Sequence, residues 1–532
     1  MITKIIEFTQ KKIWTYKMRF VNLLLPLLLT TMVVGDTPPQ LERISNQGGK
    51  FVDTHGRVRI FHGVNVDNKS EPYLPNYLTH QQRRQLSHDW GFNIVRLNFA
   101  WAAFEPTPGN YNYPYLEQFV DLVNTYAQNG MYSIVDVHQD QYAACWCGEG
   151  FPCWSAYPTW SESVYPFPSA PLLGVNASYP INPTTGGIDE SYCYMPGNNG
   201  DYYFTVVTGQ IFANFYDNYN GVQTRFVQMF GEIAKYFANN TNVFGYEIIN
   251  EPFPGNIYDQ SLGYLSFYNS TFGDQYLLQP LYDLVAAEIR KYDTEALILF
   301  EPLVTNGEVL ARPSGFTHPP GGSEQSALSY HVYCDVTANY AGICFMAGPR
   351  YFSDCQFILN NPNEYCYYLF EQEFEIRQQD AQSNGVPAIV TEFGSWSGNN
   401  TVDIAVNQKI CDLADVNFTS WVNWDILSLY YEEPNMPNVI VRPYARAIAG
   451  TPLSQQYNST TLEYTLMYQP LADIWTHTEI TVPYLKYPNG IYVSISPRFS
   501  AFWSMHRGVL HVHAWDKDSP IKVTISPRFD IN

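Results

Sequence analysis

The feature that most constrains this chain is a rhythm between residues 57 and 424: short apolar runs alternate with stretches of helical periodicity. Arg57–Val66, Asn93–Phe99, Tyr132–His138 and Val243–Asn250 read as strands, and Ala296–Phe300, Ala327–Val332, Ala388–Thr391 and Phe418–Trp424 continue the series. Helices fit between them. Thr79 and Gln82 have the spacing of a capping box. Tyr115, Phe119, Leu122, Val123 and Tyr126 make one apolar helix face, and Phe226, Phe230, Ile233, Ala234 and Phe237 make another. Eight strands with intervening helices predict an α/β chain folded as a (β/α)8 TIM barrel.

In such barrels the working groups stand at the carboxyl ends of the strands. Here the unusual polar residues fall there: Asn65 after the first run, His138 after the third, and Asn250-Glu251 after the fourth. His331 and Tyr333 follow the sixth, Glu392 the seventh and Trp424 the eighth. Two carboxyls at one barrel mouth can divide the cleavage of a glycosidic bond, one protonating the leaving oxygen and the other attacking the sugar carbon. Glu251, in Asn250-Glu251-Pro252, is expected to be the acid and then base, and Glu392, in Thr391-Glu392-Phe393-Gly394, the nucleophile. Asn250 is expected at a sugar 2-hydroxyl, and Tyr333 as a donor to Glu392. His138 and His331 would position the acid and the substrate hydroxyls, and Trp424 would form a floor under the sugar. Arg96, inside the second strand, needs a carboxylate such as Glu392 to answer its buried charge. Glu301-Pro302 reads as a turn. No metal or organic cofactor is expected, since carboxylates suffice for this chemistry.

Beyond residue 441 the helical periodicity stops. Thr461–Met467, Glu479–Tyr484, Tyr492–Ile495, Val509–Ala514 and Ile521–Ile525 read as strands, with Asn489-Gly490 as a hairpin turn. A small antiparallel β-sandwich over 442–532 follows, behind a barrel over 36–441.

The formal charge of −21 disfavours nucleic acid and anionic membranes as partners. Lys11, Lys12, Lys17 and Arg19 precede the apolar run Leu23–Leu29, and small residues follow it, the pattern of a signal peptide over 1–35 cut near Gly35. All nine cysteines lie beyond that point, as do sequons at Asn68, Asn176, Asn239, Asn269, Asn399, Asn417 and Asn458. Cys145, Cys147, Cys153 and Cys193 form one group, and Cys334, Cys344, Cys355 and Cys366 another. Disulfides pinning two long loops are expected, with the connectivity open and Cys411 left as a buried thiol. An exported glycoprotein results, for the extracellular space, a gut lumen or a lysosome.

At Arg96, His138, Asn250, Glu251, His331, Tyr333, Glu392 and Trp424 the chain resembles glycoside hydrolase family 5. The resemblance implies a retaining mechanism, with acid/base at Glu251 and nucleophile at Glu392. Within that family the chain most resembles the endoglycoceramidases. That likeness is carried by Phe61-His62-Gly63-Val64-Asn65-Val66 with Lys69 following, Asp136-Val137-His138-Gln139-Asp140, Asn250-Glu251-Pro252 and Arg442-Pro443-Tyr444-Ala445-Arg446-Ala447. It implies a glycosphingolipid substrate cut into oligosaccharide and ceramide, with Lys69 and Asp140 at the glucose next to ceramide and transient contact with lipid surfaces or micelles. A long aromatic segment from Gly148 to Phe215, containing Phe151, Trp154, Tyr157, Trp160, Tyr165, Phe167 and Ala170-Pro171-Leu172-Leu173, would either hold acyl chains or form a disulfide-pinned mini-core. The alternatives are a β-glucanase, mannanase or β-glucosidase on the same barrel, or a non-catalytic carbohydrate- or lipid-binding barrel. The oligomeric state is open.

Overall fold

The computed structural model describes residues 40–157, 166–184, 186–193, 199–258, 261–306, 312–333, 362–394, 400–432 and 435–528. The signal peptide, Cys334, Cys344, Cys355, the Asn399 sequon, Trp160 and Tyr165 lie outside them.

Three short strands come first: β1 (Ile44–Asn46), β2 (Phe51–Asp53) and β3 (Val58–Arg59). The barrel follows as β4 (His62–Val66), β5 (Ile94–Phe99), β6 (Tyr132–Val137), β7 (Val243–Glu247), β8 (Leu297–Phe300), β9 (Ser326–Tyr333), β10 (Ala388–Gly394) and β11 (Ser420–Asn423). All eight pair in parallel, and β11 closes back onto β4. The helices Tyr113–Ala127 and Val222–Phe237 bury the aromatic faces expected of them. Thr79 and Gln82 make the reciprocal bonds of a capping box ahead of helix His80–Arg84. At the amino-terminal end of the barrel, Phe51 from β2 packs edge to face with Phe61 and Phe244, and Tyr132 packs the same way on Phe61, so the hairpin β1–β2 plugs that end.

The remaining strands are β12 (Tyr444–Ile448), β13 (Gly450–Asn458), β14 (Glu463–Pro470), β15 (Thr478–Thr481), β16 (Ile491–Ser496), β17 (Ala501–His506), β18 (Val509–Ala514) and β19 (Ile521–Pro527). They form two sheets. One is β13-β14-β19-β16; the other is β1-β2-β3-β12-β15-β18-β17, which draws three strands from the far end of the chain. The run Arg57–Val66, which reads as one strand in the sequence, is therefore two. β3 pairs with β12 of the sandwich, and β4 opens the barrel. Apolar patterning cannot separate them, because Ile60 enters the sandwich core while Phe61 enters the barrel plug.

The Arg442 motif lies at this junction. Arg442 is buried with Asp415 at 2.7 Å and Asp412 at 2.8 Å, both on helix Asn400–Asn417. Breaking a buried pair of this kind costs about 3–5 kcal/mol. Two residues on, the Tyr444 ring stacks at 3.7 Å on His62, which stacks on Trp421 at 4.2 Å.

Candidate active site

Each strand end delivers its polar residue to one mouth. Arg96, in β5, is 1 % exposed and forms the hub. Its Nε donates to Glu247 at 2.5 Å, Nη1 to Glu392 at 2.6 Å and Asn65 at 3.0 Å, and Nη2 to Asn250 at 2.7 Å, with Asp136 at 3.1 Å. Burial by itself would strip the proton from such a group, yet Asp136, Glu247 and Glu392 outweigh it and hold Arg96 well above its ordinary pKa.

Glu392 has two donors. Oε1 accepts from Arg96, and Oε2 accepts from the Tyr333 hydroxyl at 2.8 Å. Burial raises its pKa, His331 and Arg96 oppose that, and the like charge of Glu251 adds to it. Glu251 follows β7 with its Oε1 2.8 Å from His331 Nδ1. One oxygen of Glu251 and one of Glu392 lie within 4.8 Å of each other. That closeness matches carboxyls working by direct attack, which stand about 5–5.5 Å apart, and leaves no room for the intervening water of an inverting pair.

Glu251 sits in left-handed backbone, φ 43°. Such a conformation costs of order 1–3 kcal/mol and is held by its surroundings. Its N–H donates to Glu301 Oε2 at 3.0 Å, and Gln139 Nε2 donates to its carbonyl at 3.1 Å. Glu301 is thus no simple turn residue. It is 3 % exposed at the end of β8, with Oε1 3.6 Å from His331. Burial drives its pKa well above the carboxylate range against the pull of His331. His331 faces three carboxylates; burial would lower its pKa, but Glu301, Glu392 and Glu251 push it up to about 10.

A second cluster stands beside the first. Lys69, on the connection after β4, contacts Asp140, with Glu149 at 3.1 Å and the Trp424 ring 4.5 Å below its ammonium. His138 stacks on Trp424 at 5.5 Å and 9°. Its Nδ1 lies 2.7 Å from Asp136 Oδ2, so Asp136 grips both Arg96 and His138. Burial opposes the charged forms here too. Lys69 and His138 nevertheless hold Asp140 well below its usual pKa, whereas burial lifts Glu149 to about 9.

The sequence-predicted residues converge, with one adjustment. The Asn250 amide accepts from Arg96 and donates to Gln139 O at 3.1 Å, a single one of its two N–H donors. His331 reaches the Glu251 carboxyl, while His138 serves Asp136 and Asp140 instead. Glu247, Glu301 and Glu149 were not among the expected site residues. Glu149 had one local signal: its flanking glycines. A side chain at Gly148 would strike Gln141 O at 2.3 Å, and one at Gly150 would strike His138 O at 2.1 Å. Disulfides Cys145–Cys153 and Cys147–Cys193 fix that turn, Cys366 is also disulfide-bonded, and Cys411 is a buried free thiol.

Most described aromatics of the long segment are interior. Phe151 and Phe167 are each 1 % exposed; Phe167 packs with Trp146 and Tyr202 and Phe151 with Trp101, Tyr142 and Phe226, so the segment joins the main core around the barrel.

Against known proteins, the profile described as Cellulase (glycosyl hydrolase family 5) matches residues 52–168 and 198–428. Residues 442–526 match the glycoside hydrolase family 5 C-terminal domain. The chain is 28 % identical to an endoglycoceramidase of Cyanea nozakii, over 96 % of this chain and 99 % of that one. It is 27 % identical to an endoglycoceramidase of Hydra vulgaris, over 93 % and 91 %. Among solved structures, endo-glycoceramidase II from Rhodococcus sp. in complex with ganglioside GM3 shares the fold, with a TM-score of 0.67 at 21 % identity over 91 % of this chain and all of that one.

Proposed function

The chain belongs to glycoside hydrolase family 5, and from that premise we propose that it is a retaining endoglycoceramidase, cleaving the β-linkage between the glucose of a glycosphingolipid and ceramide. The observation that carries the mechanism is the approach of Glu251 and Glu392 to within 4.8 Å. Glu392, with Arg96 and Tyr333 both donating to it, is the carboxyl favoured as an anion. It attacks the anomeric carbon as Glu251 gives its proton to the departing ceramide oxygen. Water then attacks the glycosyl ester, Glu251 takes its proton, and Glu392 leaves as the free carboxylate. Lys69, Asp140 and Trp424 bind the glucose, with the indole as its floor and the two charges at its hydroxyls.

Contact with lipid is supported by another element on the same end of the barrel. The connection after β7 carries helix Leu262–Tyr268, with Leu262, Leu265, Tyr268 and nearby Tyr276 each 45–51 % exposed. This short apolar face suits the edge of a micelle or membrane. Secretion is part of the same proposal. The disulfides fit an oxidising compartment. Asn176, Asn239, Asn269, Asn417 and Asn458 are exposed, while Asn68 is half-buried beside Lys69.

A substrate panel tests the reading. Gangliosides and lactosylceramide should release intact oligosaccharide and ceramide, the oligosaccharide first appearing as the β-anomer by proton NMR. Cleavage of cellulose or mannan with no release from any glycosphingolipid would refute the substrate. An α-anomer as first product would refute the mechanism.

A further inference from the structure

The outer face of the sandwich carries a cluster that hydrolysis does not use. β15 and β18 are antiparallel neighbours, with Glu479 opposite His511. Two residues further, on the same face, the rings of His477 and His513 approach to 4.8 Å. The His477 and His511 rings are 4.4 Å apart, and donor atoms of His477, Glu479 and His511 all lie within 4.8 Å of one another. Ile480, Leu510 and Val512 fill the core on the opposite side, so strand alternation turns these four side chains outward together. His511 and His513 are two residues apart on one strand, and His477 comes from its neighbour. A sheet sets His477 and His511 together with Glu479 in this way and places His513 beside His477, because alternate residues share a face and the next strand is about 4.8 Å away.

The surroundings hold the donors in place. Phe502 stacks on His513 at 4.4 Å and 3°, and Trp515 stacks on Phe502 at 5.6 Å. Glu479 lies 3.3 Å from His477 Nε2 and 2.7 Å from Arg57. Arg57 is itself answered by Asp53 at 2.9 Å and Glu42 at 3.6 Å, so it does not impose a bare positive charge. A carboxylate has about four lone-pair positions; the bond from Arg57 uses one on Oε1, and Arg446 faces Oε2 at 3.7 Å, beyond hydrogen-bond range. His477 and Glu479 keep 26 % and 19 % of their side-chain surface open, which gives an ion an entry path from solvent.

We propose that His477, His511 and His513, with Glu479 as the oxygen donor, bind a divalent ion of the zinc class and so tie β15 to β18. Three nitrogens and one oxygen suit Zn²⁺, whereas Mg²⁺ and Ca²⁺ require mostly oxygen. The site is separate from the hydrolytic chemistry and lies next to β17, the edge strand of its sheet. Tying β18 inward would steady that edge, because an ion bound only by the folded form stabilises it by mass action.

The test is titration of the full-length, chelator-stripped chain with ZnCl₂ by calorimetry and thermal melting. One Zn²⁺ per chain and an upward shift of Tm are expected, with no shift from MgCl₂. Co²⁺ should give the visible absorption of a tetrahedral nitrogen-rich site. His511→Ala and His513→Ala should each weaken Zn²⁺ binding at least about tenfold, and the variant lacking all three histidines should abolish it, with circular dichroism and hydrolytic activity unchanged. His511→Gln serves as a second variant that keeps the side-chain volume. Absence of saturable Zn²⁺ binding, or undiminished binding in the triple variant, would overturn the site; the latter would move the ion to the histidines and carboxylates of the barrel mouth.

Discussion

Arg96 and Lys69 are both cations gripped by carboxylates at one barrel mouth, and they are built in opposite ways. Arg96 rises from a strand, is 1 % exposed, and takes its partners from β4, β6, β7 and β10 or the residues directly after them. Lys69 stands on a connection with 35 % of its side chain open, and its partners Asp140 and Glu149 come from the disulfide-bound turn after β6. A buried ion that loses one partner is left with an uncompensated charge, at a cost of several kcal/mol, so the Arg96 network is rigid. The Lys69 pairs are wetter, and a sugar hydroxyl can replace one of them without such a penalty. On the proposed reading, chemistry is thus held by strands and recognition by loops, with Asp136 in contact with both Arg96 and His138.

Substitutions can break that division, and the largest effect belongs to the strand side. Glu392→Gln should lower kcat by about 10³-fold or more while circular dichroism reports an intact fold. Retention of activity within tenfold would remove Glu392 from the mechanism. Asp136→Asn loosens both clusters at once, so kcat should drop by about 10²-fold and KM should also rise. A change in only one of the two constants would mean that the clusters are independent. Lys69→Ala should raise KM for a lipid substrate about tenfold and leave kcat nearly unchanged, as expected when binding common to ground and transition states is lost.

The smallest effect is a pH signature. Glu149, lifted to about 9 by burial, is protonated at neutral pH, and Gln imitates that form. Glu149→Gln should therefore match the parent near pH 7. As pH rises through about 9 the parent gains a second anion on Lys69, which is drawn from the sugar, and its KM should climb. The variant should show no such rise, and parallel profiles in steady-state kinetics would count against the assignment.

Most of the barrel was legible because its strands are continuous apolar runs and their carboxyl ends interrupt them with polar residues. Glu251, Glu392, His331 and Tyr333 stood out on that ground. Glu247 did not, since it lies within the strand Val243–Glu247 and its charge is explained only by Arg96. Glu301-Pro302 has the local sequence of a turn, and nothing nearby announces that its carboxylate accepts the Glu251 N–H. Glu149 depends on which cysteines pair, and spacing does not determine that. In the sandwich, β17 escaped notice because it is almost wholly exposed and lacks the alternation that marks a half-buried strand.

The double allegiance of residues 58 to 66 has a consequence for how the protein is made. β3 has its partner in Ala447 and Ile448, and Arg59 Nε donates to the carbonyl of Arg446, 387 positions later. During synthesis the amino-terminal strands must wait for those 387 further residues before that edge can close. Such distant pairing is slow and leaves apolar strands uncovered meanwhile. A chain stopped at the end of the barrel would leave β3 paired with β2 alone, its other edge open, and Ile60, His62 and Trp421 uncovered by Tyr444. The barrel and the sandwich therefore fold as one unit, and a stop between residues 424 and 442 should yield an aggregate rather than a smaller enzyme.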